Sequence, residues 1–197
     1  RLASYDVYGS IAHVRMLEHV GLLEQREAAV IEDGLREVLR EIGEGRLQPL
    51  ESMEDVHMNI EARLTDLIGP LGAKLHAGRS RNDQTATTVR LYLRKEMYSV
   101  GDALITLMDA LLDRATAHRH IIVPGYTHLQ QAQPISMGHY WLAHFWALTR
   151  DFRRVLFALE SVNECPLGSG ALAGSTLPLD RGFTTVMLGF DRTSDNS

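Results

Sequence analysis

Apolar residues recur along most of this chain at intervals of three and four, the period of an α-helix, and alternating β-branched runs are nearly absent. The first such stretch runs from about Tyr5 to Val20, with Ile11, Val14 and Leu17 in step and Gly21 placed to stop it. The second, about Glu24 to Ile42, sets Ala28, Ile31, Leu35, Val38, Leu39 and Ile42 on one stripe with charges between them. A third, Met53 to Ile68, carries Val56, Ile60, Leu64 and Leu67 before Gly69-Pro70 breaks it. Two longer stretches follow. From Asp83 to His118, Val89, Leu93, Met97, Val100, Leu104, Leu107, Leu111 and Ala115 keep the helical step without a proline. At 1.5 Å per residue this is a rod of roughly 50 Å. From Ser136 to Asn163, Trp141, Phe145, Leu148, Phe152, Val155, Leu159 and Val162 step alternately by four and three, the seam of supercoiled helices.

The pattern predicts an all-α protein. Residues 76–197 would form an elongated bundle of long antiparallel helices, and residues 1–75 a small N-terminal helical cap. Two rods cannot bury their stripes alone, so the bundle calls for long neighbours from other subunits. Composition adds exclusions. With 45% hydrophobic and 23% charged residues the chain should fold, and its net charge of −5 argues against a general affinity for nucleic acid or an anionic membrane. No apolar run approaches the roughly 18 residues of a membrane span, and no leader pattern is visible. The single cysteine, Cys165, rules out an internal disulfide and a zinc-cysteine module, which fits a reducing cytoplasm.

Candidate chemistry lies between the helices. Lys74 to Gln84 is densely polar and stands directly before the longest helix, where Asn82 or Asp83 can cap. The positive helix end, with donors from Arg79, Ser80 and Arg81, suits a carboxylate or phosphate; a charged surface loop with an ordinary cap is the competing reading. In Pro124 to Pro134, read as a loop between the rods, His128 can exchange a proton near neutral pH and Thr127 can bond an oxyanion. The competing reading there is a structural histidine. In Glu54 to Glu61, Asp55 sits in the first turn of the third helix, and His57 can bond Glu61 four residues on. Without a third ligand that pair makes no metal site. The other histidines read as surface or core-edge residues. The glycine-rich turn Cys165 to Ser175 lacks the phosphate-loop pattern and reads as close backbone packing.

Gly78-Arg79-Ser80-Arg81-Asn82-Asp83-Gln84, Pro124-Gly125-Tyr126-Thr127-His128-Leu129-Gln130 and Pro166-Leu167-Gly168-Ser169-Gly170-Ala171 together resemble the argininosuccinate lyases of the fumarase/aspartase superfamily. Glu54-Asp55-Val56-His57 resembles the Asp-x-His stretch of that family. The resemblance implies β-elimination of argininosuccinate to arginine and fumarate, without metal or organic cofactor, in a homotetramer whose active sites are shared between subunits. It implies that Ser80, Arg81, Asn82 and Thr127 cradle a substrate carboxylate, that His128 is the general acid, and that Asp55 and His57 bind substrate. The family signature Gly-Ser-Ser-x-Met-Pro-x-Lys-x-Asn-Pro, with its proton-abstracting serine, is absent; it would lie beyond Ser197, and an amino-terminal substrate-binding segment would precede Arg1. The expectation is therefore an incomplete portion of the enzyme, inactive alone. Alternatives are a sibling fumarate-releasing lyase, a crystallin-type structural member of the family, and a plain helical scaffold.

Overall fold

A computed structural model describes residues 1–50 and 52–196. Helices dominate, and the chain falls into two compact units, Arg1–Leu93 with Val162–Ser197, and Arg94–Ser161.

The first unit opens with α1 (Ala3–His19) and α2 (Gln25–Gly43), followed by α3 (Val56–Ile68) and a 3₁₀ stretch, Gly69–His76. The predicted stripes meet: Val7, Val14 and Leu17 of α1, Ile31, Leu35 and Val38 of α2, and Ile60 and Leu64 of α3 are fully enclosed with Leu75. Local signals set the boundaries. Gly21 adopts φ +77° and ends α1 as the spacing predicted, because no side chain opposes the left-handed turn. Glu24 and Glu27 form a reciprocal capping box at the start of α2. At Gly34 a Cβ would lie 2.7 Å from the Leu64 side chain, so the α2–α3 crossing depends on a missing methyl. Residues 81–93 of α4 (Arg81–Ala117) also belong to this unit. So do the short parallel pair β3 (Glu164–Cys165) and β4 (Arg192–Thr193), and α6 (Arg181–Met187). Cys165, Leu167 and Phe190 form a small second core against Leu91.

The second unit holds the rest of α4, a β-hairpin and α5 (Met137–Val162) up to Ser161. Gly138 abuts Ala115 and Gly101 abuts Phe152, so the two helices run antiparallel. The hairpin corrects the sequence reading of a loop at Pro124 to Pro134. Its strands, β1 (Ile122–Thr127) and β2 (Gln130–Ser136), pair with a bulge at Gly125. Pro124 faces Pro134, where neither residue has an N–H to give, and the turn residues are His128 and Leu129 at φ 48° and 64°. Two positive φ values define the tight mirror-image turn usually built from Asn-Gly. With His-Leu in those places the composition concealed it. No helix among the described residues is long and apolar enough to cross a membrane.

Candidate active site

The start of α4 is organised by Ser80. Its Oγ accepts the Asn82 N–H at 3.2 Å, and the Asp83 carboxylate accepts the Ser80 N–H at 3.0 Å. Ser80 is thus the cap, in place of the predicted Asn82 or Asp83, because Ser-x-x-acid spacing lets both ends of the turn satisfy each other. Asn82 is left exposed at the positive end of a 37-residue helix. Asp83 is buried, and its second oxygen accepts the N–H groups of Gly168 and Gly170 at 2.9 Å each.

The start of α3 lies against this turn. Asp55 is the N-cap of α3 rather than a first-turn residue: Oδ1 accepts the Met58 N–H at 2.7 Å, and Oδ2 lies 3.1 Å from Arg81 Nε. Arg81 also donates to Gln84 at 2.9 Å and reaches Glu61 at 3.5 Å, so its guanidinium is held in place beside Ser80 and Asn82. His57 does not pair with Glu61. The imidazole is buried, with Nδ1 2.7 Å from Asp6 and Nε2 3.1 Å from the hydroxyl of Thr85. Glu61 is met instead by His76 at 3.0 Å, Arg79 at 3.4 Å and Arg81 at 3.5 Å, and the two guanidinium charges attract its carboxylate.

Behind the row of candidate residues runs a buried polar layer. Asp6 accepts from His57 and from Gln84 at 2.7 Å each. Burial by itself would raise its pKa, but the His57 bond, the Arg79 charge and the Gln84 bond outweigh this and hold the carboxyl below its ordinary value. Arg79 turns inward to Ser10 at 2.8 Å, which corrects the expectation that it adds an outward donor. His13, expected at the surface or core edge, is fully enclosed and donates through Nε2 to the Ala77 carbonyl at 2.9 Å. Burial, then the Arg79 charge, depress its pKa to about 3, so this imidazole is neutral.

Asp55, His57, Ser80, Arg81 and Asn82 all lie in the first unit, as caps or first-turn residues of α3 and α4. Thr127 and His128 belong to the second unit, where Thr127 closes β1 and His128 stands exposed on the turn. Sequence reasoning missed Asp6, Gln84, Thr85 and the linking role of Asp83. A signal for Asp6 existed: Asp6, Ser10 and His13 step by four and three along α1, a polar stripe beside the apolar one. Among the described residues no three His, Cys, Asp or Glu side chains are grouped to hold a metal ion.

A family model described as "Lyase" matches residues 1–190. The chain belongs to this lyase family. Among its curated relatives, argininosuccinate lyase of Synechococcus sp. (strain JA-3-3Ab) is 53% identical over 197 residues, covering all of this chain and 40% of that protein. Argininosuccinate lyase of Bacillus subtilis (strain 168) is 46% identical over 196 residues, covering 100% of this chain and 42% of its own length. The lyase chain therefore spans about two fifths of the length of the curated relatives it matches. Among solved structures, EDDS lyase in complex with formate superposes with a TM-score of 0.88 at 34% identity, over 99% of this chain and 38% of that one. A beta-carboxy-cis,cis-muconate cycloisomerase from Acinetobacter calcoaceticus shares the fold at TM-score 0.80 and 23% identity, over 98% of this chain and 47% of its own.

Proposed function

We propose that the protein carrying this chain is an argininosuccinate lyase. The observation that carries this reading is the 46 to 53% identity, over essentially the whole chain, with proteins of that name. The geometry at the start of α4 supports it. In the proposed reaction a base removes a proton from the carbon beside a substrate carboxylate, the freed electron pair forms the double bond of fumarate, and the C–N bond to arginine breaks. Negative charge accumulates on that carboxylate, so donors fixed beforehand favour the transition state over the substrate. Ser80, Asn82 and Arg81 are such donors: the capping box and the Asp55 contact hold two of them without help from substrate.

Thr127 contributes to such a cradle from another subunit of the assembly. His128 gives the departing guanidino nitrogen its proton, a task its exposed position on a tight turn allows. Asp55 serves substrate binding by orienting Arg81, and His57, held between Asp6 and Thr85, serves it from the first turn of the same helix. The base is assigned to no residue of this chain. The reaction needs neither metal nor organic cofactor, and it takes place in a homotetramer, in the cytoplasm, with each site assembled from more than one subunit. An EDDS lyase variant that superposes at TM-score 0.88 was solved with bound fumarate, which supports a four-carbon diacid as a ligand of this site.

Fumarate release by the complete protein that carries this chain, followed by ultraviolet absorbance, tests the assignment against argininosuccinate, adenylosuccinate, aspartate and malate. Turnover of argininosuccinate is expected, with a loss on the order of 100-fold or more in kcat for His128→Asn and no change of oligomeric state. Fumarate from another of these substrates alone, or full activity in His128→Asn, would overturn it.

A further inference from the structure

Asp83 bonds in two directions. One carboxylate oxygen takes the Ser80 N–H at 3.0 Å, as an acidic residue in the first turn of a helix ordinarily does. The other takes two N–H groups, from Gly168 and Gly170, 85 and 87 residues away along the chain. The side chain is 3% exposed, so these three donors stand in place of water. The glycines make the convergence possible. Gly168 and Gly170 sit at φ +92° and +68°, a backbone course open to few other residues. A Cβ at Gly170 would fall 2.7 Å from the Gly174 carbonyl, and one at Gly168 would fall 2.8 Å from the Arg181 side chain.

The loop is itself firmly seated. Ser169 donates its N–H to the Pro166 carbonyl and Gly174 donates to that of Ser169, while Cys165 and Leu167 pack with Phe190 against Leu91 of α4. It therefore gives Asp83 a fixed point, and through Asp83 it gives one to Ser80, whose Oγ in turn holds the Asn82 N–H. A carboxylate is required. Three donors converge on two oxygens, and an amide in its place would turn its own N–H toward one of them.

We propose that Asp83 is a positioning residue. It ties the Gly168–Gly170 loop to the first turn of α4 and so sets where Ser80 and Asn82 meet the substrate carboxylate. This rests on the lyase reading above. It concerns a side chain that touches no substrate and acts through the two that do.

The test compares three variants of the full protein: Asp83→Asn, Gly170→Ala, and Glu41→Gln as a control. Glu41 is a buried carboxylate clamped by Arg63 and Arg46, so its loss destabilises the same unit without touching the site. Asp83→Asn is expected to lower kcat about 100-fold, the scale set by small misplacements of donors, with KM moving less than about 3-fold. Gly170→Ala, which leaves Asp83 itself intact, should lose kcat in the same manner. Glu41→Gln should lower the unfolding temperature but leave kcat within about 2-fold, as expected for a site that stays preorganised. Wild-type kcat in Asp83→Asn, or equal losses in Asp83→Asn and Glu41→Gln, would overturn the proposal. Amide exchange keeps the outcome separate from the lyase reading. If the wild type releases no fumarate, that reading fails. Faster exchange at Ser80, Asn82, Gly168 and Gly170 in Asp83→Asn would still support the tie, and unchanged exchange there would overturn it.

Discussion

The two units carry the same helical code and bury it to different extents. In the first, stripes on α1, α2 and α3 face one another, and Val14, Leu17, Ile31, Leu35, Ile60 and Leu64 lose all contact with solvent. In the second, α5 has the more regular seam, yet its members Trp141, Phe145, Leu148, Phe152, Val155 and Leu159 are only half-buried. Among the described residues of that unit just Gly101, Ala115 and Gly138 are buried, all small and all at points of close approach. Periodicity tells which residues want cover; the number of neighbouring elements decides how much they get. Three helices can enclose a stripe. A helix pair covers one side of it, and Phe157, Trp146, Leu107 and Val100 are left exposed.

The largest test of this contrast is truncation. Leu64→Ala empties a closed core and should cost about 2–5 kcal/mol in urea unfolding, whereas Phe157→Ala, at 72% exposure, should cost less than about 1 kcal/mol. Equal losses would show that the second unit packs as tightly as the first.

Acid should strike the first unit selectively. The His13 pKa is about 3 in the folded protein against an ordinary value of 6.5, so below pH 6.5 the unfolded chain takes up a proton that the folded one refuses. Stability is then lost as pH falls, by up to about 1.4 kcal/mol per pH unit for this one group. The loss should be measurable between pH 6.5 and about 4.5, before carboxylates such as Asp6 and Glu32 add their own. In His13→Gln, urea midpoints over that range should flatten; an unchanged slope would assign it to other groups.

The smallest effect belongs to the hairpin turn. A left-handed conformation costs a non-glycine residue about 1–2 kcal/mol, and Leu129 at φ 64° is 94% exposed with little packing to repay it. Glycine gives back about 0.5–1 kcal/mol in chain entropy, so Leu129→Gly should stabilise the hairpin by about 0.5–1 kcal/mol. Slower amide exchange across β1 and β2 would register it. Faster exchange would mean that the leucine side chain contributes packing.

Much of the candidate site was legible because its residues are neighbours in the sequence. Ser80, Arg81 and Asn82 precede a long apolar period, and a helix of that length must present its first turn to solvent or to a ligand. His128 stood out by chemistry alone. Its turn did not, since a His-Leu pair carries none of the usual hairpin composition. The partner of His57 was misjudged for a different reason. Spacing along α3 offers Glu61, but the docking of α1 brings Asp6 closer, and no rule of local spacing reaches across 51 residues.

Helix periods, their breakers and the polar segments between them are properties of short windows. For that reason the order of elements and the candidate chemistry could be read from the residues alone. Which oxygen meets which N–H is a matter of packing. Asp83 with Gly168 and Gly170, Asp6 with His57, and Glu61 with its three basic neighbours join segments far apart in the chain. Burial makes the Asp83 and Asp6 bonds obligatory, because a polar group shut away from water must find a partner among whatever groups the fold has brought beside it.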